Sequence, residues 1–183
     1  MHNNLPTSFL FIDIYDEEYI RNLDKKIAIV YRNYTIKHEK KLILKIKETC
    51  KKDGRKFFLS NNLKLAISLS LDGVYLPSFN KILNTKKITR KKFIIIGSAH
   101  SVQEIKIKEQ QGATGIFIAP LFKTKKNIKF LNIVKFNLLT LITNKKIIAL
   151  GGISTKNLNK VKLTKSYGFA GISYFKNNNN IKL

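Results

Sequence analysis

Four short stretches combine residue types that can handle a proton or an anion, and each adjoins an apolar run. Gly97-Ser98-Ala99-His100-Ser101 places His100 just after Phe93-Ile94-Ile95-Ile96. His2 is terminal and His38 lies at an expected helix start, so His100 is the histidine that ends an apolar run. An imidazole there can move a proton near neutral pH. The plainer account is a histidine that caps the next helix or pairs with a neighbouring strand. Ala119-Pro120-Leu121-Phe122-Lys123-Thr124-Lys125-Lys126 sets one hydroxyl, Thr124, among cations, which suits oxyanion contact and equally a solvated basic loop. Ala149-Leu150-Gly151-Gly152-Ile153-Ser154 and Gly168-Phe169-Ala170-Gly171-Ile172-Ser173 bring glycines to the last two runs. Such glycines let backbone approach a ligand and turn N–H groups toward an anion at a helix start, although Gly-Gly alone also serves a tight turn.

The elements that must position these residues alternate in kind. Apolar or β-rich runs fall at Phe9–Ile14, Ile27–Tyr31, Lys56–Ser60, Gly73–Leu76, Phe93–Gly97, Gly115–Ala119, Ile147–Gly151 and Ala170–Tyr174. Several are continuous apolar stretches, as expected of strands covered on both faces in a parallel sheet. Helix patterns lie between them. Lys37–Lys52 places Leu42, Ile43, Ile46 and Cys50 near one face. Ser101–Gln111 opens with a capping serine and Glu104 three residues on, and stops at Gly112. Asp16–Leu23, Asn61–Ser70 and Lys156–Ser166, capped by Ser154 or Thr155, complete the set. Eight such βα units predict closure into a (β/α)₈ TIM-type barrel, with an open doubly wound sheet as the alternative. In such barrels the chemistry sits just past the C-terminal ends of the strands, and phosphate sites often use the loops after strands 7 and 8.

The chain has 183 residues, against roughly 250 for a typical barrel of this kind, so the barrel is expected to be trimmed. The trimming falls on helix 1 and on the missing helix 8. Residues 1–175 are read as the barrel and 176–183, with four consecutive asparagines, as a polar tail. An uncovered eighth unit leaves an apolar flank that a homodimer would cover. One cysteine, Cys50, argues against a disulfide framework. No apolar run approaches the ~20 residues of a membrane span, and the first residues lack a signal-type pattern, so a cytoplasmic protein is expected. The net charge of +24 invites a nucleic-acid reading. The lysines, however, are spread along nearly every segment, with abundant Ile and Asn and little Arg, a bias that AT-rich coding produces. Nucleic acid is therefore not the expected partner, while the field still steers anions.

Together, Ser98-Ala99-His100-Ser101 with Glu104, Gly112-Ala113, Pro120-Leu121-Phe122-Lys123-Thr124, Gly151-Gly152-Ile153 and Gly168–Ser173 resemble the thiamine phosphate synthase/TenI family. Order and spacing match over about residues 94–175. Ile29-Val30-Tyr31-Arg32 and Asp72-Gly73-Val74-Tyr75-Leu76 resemble the family's strand-2 and strand-4 motifs more loosely. The resemblance implies a (β/α)₈ barrel, often dimeric, in thiamine biosynthesis. Synthases of the family join a pyrimidine diphosphate to a thiazole phosphate with Mg²⁺, releasing pyrophosphate. TenI members isomerise the thiazole phosphate by proton transfer without metal. On this likeness His100 is the acid/base, and Arg32, Ser98, Thr124, Gly151, Gly152, Gly171 and Ser173 contact substrate or its phosphate.

The departures cluster on one side. The family's metal-binding aspartates correspond to Asn61, in Ser60-Asn61-Asn62, and Asn80, in Pro77-Ser78-Phe79-Asn80, and its strand-2 glutamine and lysine to Val30 and Tyr34. Mg²⁺ is a hard cation best held by carboxylates and phosphates. No cofactor is therefore expected, with Mg²⁺ required only if synthase activity persists. The expectation is a protein that binds a phosphorylated thiazole and acts as a metal-independent tautomerase. The alternatives are a divergent synthase that also takes the pyrimidine diphosphate, and a non-catalytic ligand-binding relative.

Overall fold

Runs such as Phe9-Leu10-Phe11-Ile12 have no polar face to offer water, and the fold covers both of their sides. The computed structural model describes residues 5–35, 39–83, 92–124 and 128–176. Eight parallel strands close a barrel in sequence order: β1 (Ser8–Ile12), β2 (Ile27–Tyr31), β3 (Phe57–Ser60), β4 (Gly73–Leu76), β5 (Ile94–Ala99), β6 (Gly115–Ile118), β7 (Lys146–Leu150) and β8 (Gly168–Gly171). Leu10 pairs with both Ile29 and Gly171, which joins β1 to β2 and β8. The (β/α)₈ expectation holds, and the open sheet does not.

Alternation along the strands builds two cores. Phe9, Phe11, Phe58, Tyr75 and Phe117 point inward and fill the barrel with rings in edge-on contact, Phe9 and Phe117 at 5.1 Å and Phe11 and Tyr75 at 5.2 Å. Leu10, Ile12, Ile29, Leu59 and Ile116 point outward against the helices. These are α1 (Glu17–Asn22), α2 (Lys40–Lys52), α3 (Leu63–Ser68), α4 (Val102–Gln110), α5 (Asn132–Thr140), α6 (Leu158–Val161) and α7 (Ser173–Lys176). Among the described residues, no helix is long and apolar enough to cross a membrane.

The structure corrects the sequence reading at three places. The eighth strand ends at Gly171, not at Tyr174. Residues that resembled its continuation turn into α7, where Tyr174 and Phe175 pack on Phe169, the Phe175 ring stacked at 5.8 Å. The helix expected over Lys156–Ser166 is a 3₁₀ turn, Thr155–Asn157, followed by the short α6. Beyond it the Thr164 hydroxyl bonds the Val161 carbonyl and Ser166, which favours a turn over another helical repeat. Helix α5 had no counterpart in the sequence reading. It buries Phe136 alone, while Val134, Leu138 and Leu141 remain exposed, so no apolar stripe announced it. His38, Lys125, Lys126 and the tail beyond Lys176 lie outside the described residues.

Candidate active site

The site is assembled at the C-terminal ends of the strands. His100 follows β5 and is exposed, and its ring is held from the next strand. Nδ1 lies 2.7 Å from the Ala119 carbonyl oxygen. A carbonyl only accepts, so Nδ1 carries the hydrogen and the neutral ring keeps its lone pair on Nε2. The backbone is pinned as well. Ser101 caps α4, its Oγ accepting from Glu104 N–H at 3.3 Å, and the Glu104 carboxylate accepts the His100 N–H at 2.6 Å. The expected capping box is thus present but reaches back one residue further, to the histidine itself.

The loops after β6 and β7 are locked together. Leu121 N–H donates to Leu150 O at 2.9 Å and Phe122 N–H to Gly151 O at 3.1 Å. Gly151 and Gly152 have φ of +95° and +69°, backbone that side chains disfavour. They also admit close neighbours, for a Cβ on Gly152 would lie 2.5 Å from the Lys123 carbonyl oxygen. Past them the Asn157 amide bridges the turn, donating to Gly152 O at 2.8 Å and accepting Ser154 N–H at 2.8 Å. Gly151 therefore adjoins Pro120, and because Leu150 pairs with Ala170 it also neighbours Gly171. Ser173 opens α7, and Thr124 is half-buried at the end of the described part of the β6 loop.

Ser98 and Arg32 occupy a different layer. Ser98 is buried, and its Oγ lies 2.9 Å from the Tyr75 hydroxyl. Burial pushes the Tyr75 phenol up to about 12, opposed by hydrogen bonds from Ser98 and Arg32. The Arg32 guanidinium lies 4.8 Å from the centre of the Phe11 ring. Tyr75 closes the top of the aromatic core and joins these two candidates. In the sequence Tyr75 stood only within the strand-4 motif Asp72-Gly73-Val74-Tyr75-Leu76, not among the candidate site residues.

The positions matching the family's metal carboxylates do come together, as a pair of amides. Asn80 Nδ2 donates to Asn61 Oδ1 at 2.7 Å. Asn80 Oδ1 already accepts from Ile82 N–H at 3.0 Å and from Gln111 Nε2 at 3.2 Å. Beside them Tyr34 stacks edge-on with Phe79 at 5.6 Å and meets Ser60 at 3.1 Å. Among the described residues, no group of three or more His, Cys, Asp or Glu could hold a metal ion. Neutral oxygens with one N–H turned inward do not fit Mg²⁺.

The comparisons agree with this architecture. The family described as thiamine monophosphate synthase matches residues 21–175. The thiamine-phosphate synthase of Pelagibacter ubique is 30% identical over 187 aligned residues, covering 97% of this chain and 88% of that protein. That of Prochlorococcus marinus is 35% identical over 116 residues, 62% of this chain and only 34% of the longer relative. Among solved structures, thiamine phosphate pyrophosphorylase from Pyrococcus furiosus superposes with a TM-score of 0.78 at 19% identity, covering 97% of this chain and 94% of that one.

Proposed function

The chain belongs to the thiamine monophosphate synthase family, and from that premise we propose that it binds a thiazole phosphate and moves a proton on it with His100, without a metal. The observation that carries this reading is the His100 ring. Its Nδ1–H is tied to the Ala119 carbonyl, so the free Nε2 lone pair can take a proton from a substrate carbon. Isomerisation needs no other reagent, because the imidazolium returns a proton to another ring atom. The Gly151-Gly152 turn and Gly171 offer backbone for the phosphate, with Thr124 as a hydroxyl partner. Arg32 and Ser98, joined through Tyr75, shape the floor under the bound ring. The Asn61–Asn80 pair supports the metal-free form of the reading, because a proton shuttle does not require the carboxylates that are missing.

The experiment is His100→Asn. An asparagine amide can still donate to the Ala119 carbonyl but cannot act as the base. We expect thiazole phosphate to raise the melting temperature of both proteins equally. The isomerisation rate should fall about 10²- to 10⁴-fold in the variant. An unchanged rate removes His100 from its role, and an unshifted melting temperature in both removes the thiazole phosphate. The relatives' names favour a second reading, a synthase that also takes a pyrimidine diphosphate. Pyrophosphate released from the two substrates in the presence of Mg²⁺ would establish it.

A further inference from the structure

Glu109 is the last carboxylate side chain of the sequence; beyond it lysines recur from Lys123 to Lys182 with no Asp or Glu between them. The fold gathers that half of the chain into β6, β7 and β8 with α5 and α6, so one flank of the barrel carries lysines and no acidic side chain of its own. The same flank exposes aliphatic side chains. Val134, Leu138 and Leu141 follow one another at i, i+4 and i+7 along the outer face of α5. Asn137 brings Leu163 alongside, donating to Leu163 O at 3.2 Å and accepting Lys165 N–H at 2.8 Å. These four aliphatic residues are between 59% and 68% exposed, whereas α5 buries Phe136 alone.

At the C-terminal end of α5 the aliphatic row runs into an open cleft of about 390 Å³, lined by Thr140, Leu141, Lys145, Lys146, Lys165 and Tyr167 among others. Lys146 lies over the Tyr167 ring at 4.1 Å. Lys145 and Lys165 make no ion pair among the described residues. Glu109 of α4 acts on Lys145 through space, but its carboxylate is already held by Lys106 at 3.1 Å and by the Thr143 hydroxyl. The cleft lies at the N-terminal ends of β7 and β8, the end of the barrel away from His100.

We propose that this flank is a docking surface for an anionic phospholipid membrane: Val134, Leu138, Leu141 and Leu163 enter the boundary between headgroups and acyl chains, while Lys145, Lys146 and Lys165 take a headgroup phosphate. The chemistry is that of a peripheral amphipathic helix, an apolar face flanked by lysines that attract anionic lipid. Other occupants fit this face less well. A second copy would set lysine against lysine with no carboxylate to pair them. Nucleic acid favours aromatic platforms for its bases, and the exposed row is aliphatic. Protein interfaces favour Arg and aromatic side chains over Lys. Docking on this flank leaves the mouth at His100 open to solution, so the proposal stands independently of the reaction there.

Flotation with unilamellar vesicles tests it, one set of phosphatidylcholine alone and one with an equal part of phosphatidylglycerol. At about 0.1 M salt we expect the full chain to float with the anionic set and not with the neutral one. Leu138→Ser with Leu141→Ser should raise the lipid concentration for half-binding about tenfold or more. Lys145→Gln with Lys165→Gln should raise it roughly thirtyfold. Lys40→Gln with Lys41→Gln removes the same charge from α2, which follows β2 on the far side of the ring of strands from α5, and should change it less than about threefold. Every substituted side chain is exposed or lines the open cleft, so each variant should keep the parent's circular dichroism spectrum. No flotation with anionic vesicles, equal flotation with neutral ones, half-binding unchanged in the leucine variant, or an α2 variant that loses as much as the Lys145 and Lys165 variant would each overturn the proposal. So would a dimer in solution that the leucine variant dissociates, which would give the face to a second copy.

Discussion

Gly54 and Gly152 share one backbone angle, φ of +69°, and differ in what surrounds it. A Cβ on Gly54 would meet nothing within 4 Å, whereas on Gly152 it would lie 2.5 Å from Lys123 O and 2.6 Å from Phe122 O. Gly54→Ala therefore carries the left-handed penalty, about 1–2 kcal/mol. Reduced freedom of the unfolded chain offsets about 0.4–1 kcal/mol of it, leaving a loss of about 1 kcal/mol. Gly152→Ala carries that balance and an overlap roughly 0.8 Å inside ordinary carbon–oxygen contact. Both oxygens belong to backbone, so the β6 loop must retreat, at the ~1–3 kcal/mol typical of overpacking. The total is about 2–4 kcal/mol. The retreat also pulls on Pro120 and on the Ala119 carbonyl that orients His100. Urea unfolding followed by circular dichroism measures both variants. Losses equal within about 0.5 kcal/mol would refute the view that the β6 and β7 loops lock each other at Gly152.

Other consequences are equally accessible. Arg55, buried at the opposite end of the barrel, donates to Leu23 O at 3.2 Å, Asp24 O at 3.1 Å and Ile27 O at 3.3 Å and pairs with Asp53 at 2.9 Å. Arg55→Met should cost about 3–5 kcal/mol in urea unfolding without changing thiazole phosphate affinity. Tyr75 is pushed up by burial from the usual 10.0 to about 12, so the fold holds its proton where the unfolded chain has lost it. Its contribution is complete below pH 10 and lost as pH rises to about 12, on the order of 2–3 kcal/mol, and Tyr75→Phe should remove that part of the alkaline slope. Asn61→Asp with Asn80→Asp would face two carboxylates where the amides now touch at 2.7 Å. The double variant should melt lower than the parent in EDTA, and Mg²⁺ should raise its melting temperature but not the parent's.

The barrel was legible because its code is repetitive: apolar runs buried on both faces return along the chain, several of them followed by a helix pattern. The His100 stretch was legible for the same reason, since Ser101 and Glu104 cap α4 by a local rule. Helix α5 was not legible, because a helix that buries only Phe136 has almost no periodicity to read. The end of β8 was misread because Ile172-Ser173-Tyr174-Phe175 has strand-like composition, whereas a ring stack on Phe169 draws it into α7. Lys108, fully buried on α4, was invisible for another reason. A lysine on a helix rich in lysine reads as solvated face, and only its contact with Gly97, eleven positions away and on the neighbouring strand, shows otherwise.

That contact separates the two halves of the barrel mouth. From β5 to β7 the loops after β6 and β7 are joined by backbone bonds, Leu121 N–H to Leu150 O and Phe122 N–H to Gly151 O, which survive most side-chain change. Between β3 and β4 the backbone bond from Asn61 N–H to Tyr75 O, 2.8 Å, is joined by side-chain bonds of Asn80, Lys108 and Gln111. The fully buried Lys108 ammonium anchors the Pro77–Leu83 loop from beneath, through the Pro77 and Asn80 carbonyls and the Gln111 side chain, with glycine at 97 making room for its stem. Such an anchor holds the loop in place but cannot supply a Lewis acid. The proton shuttle proposed above asks of this half of the mouth only that its loop stay in place.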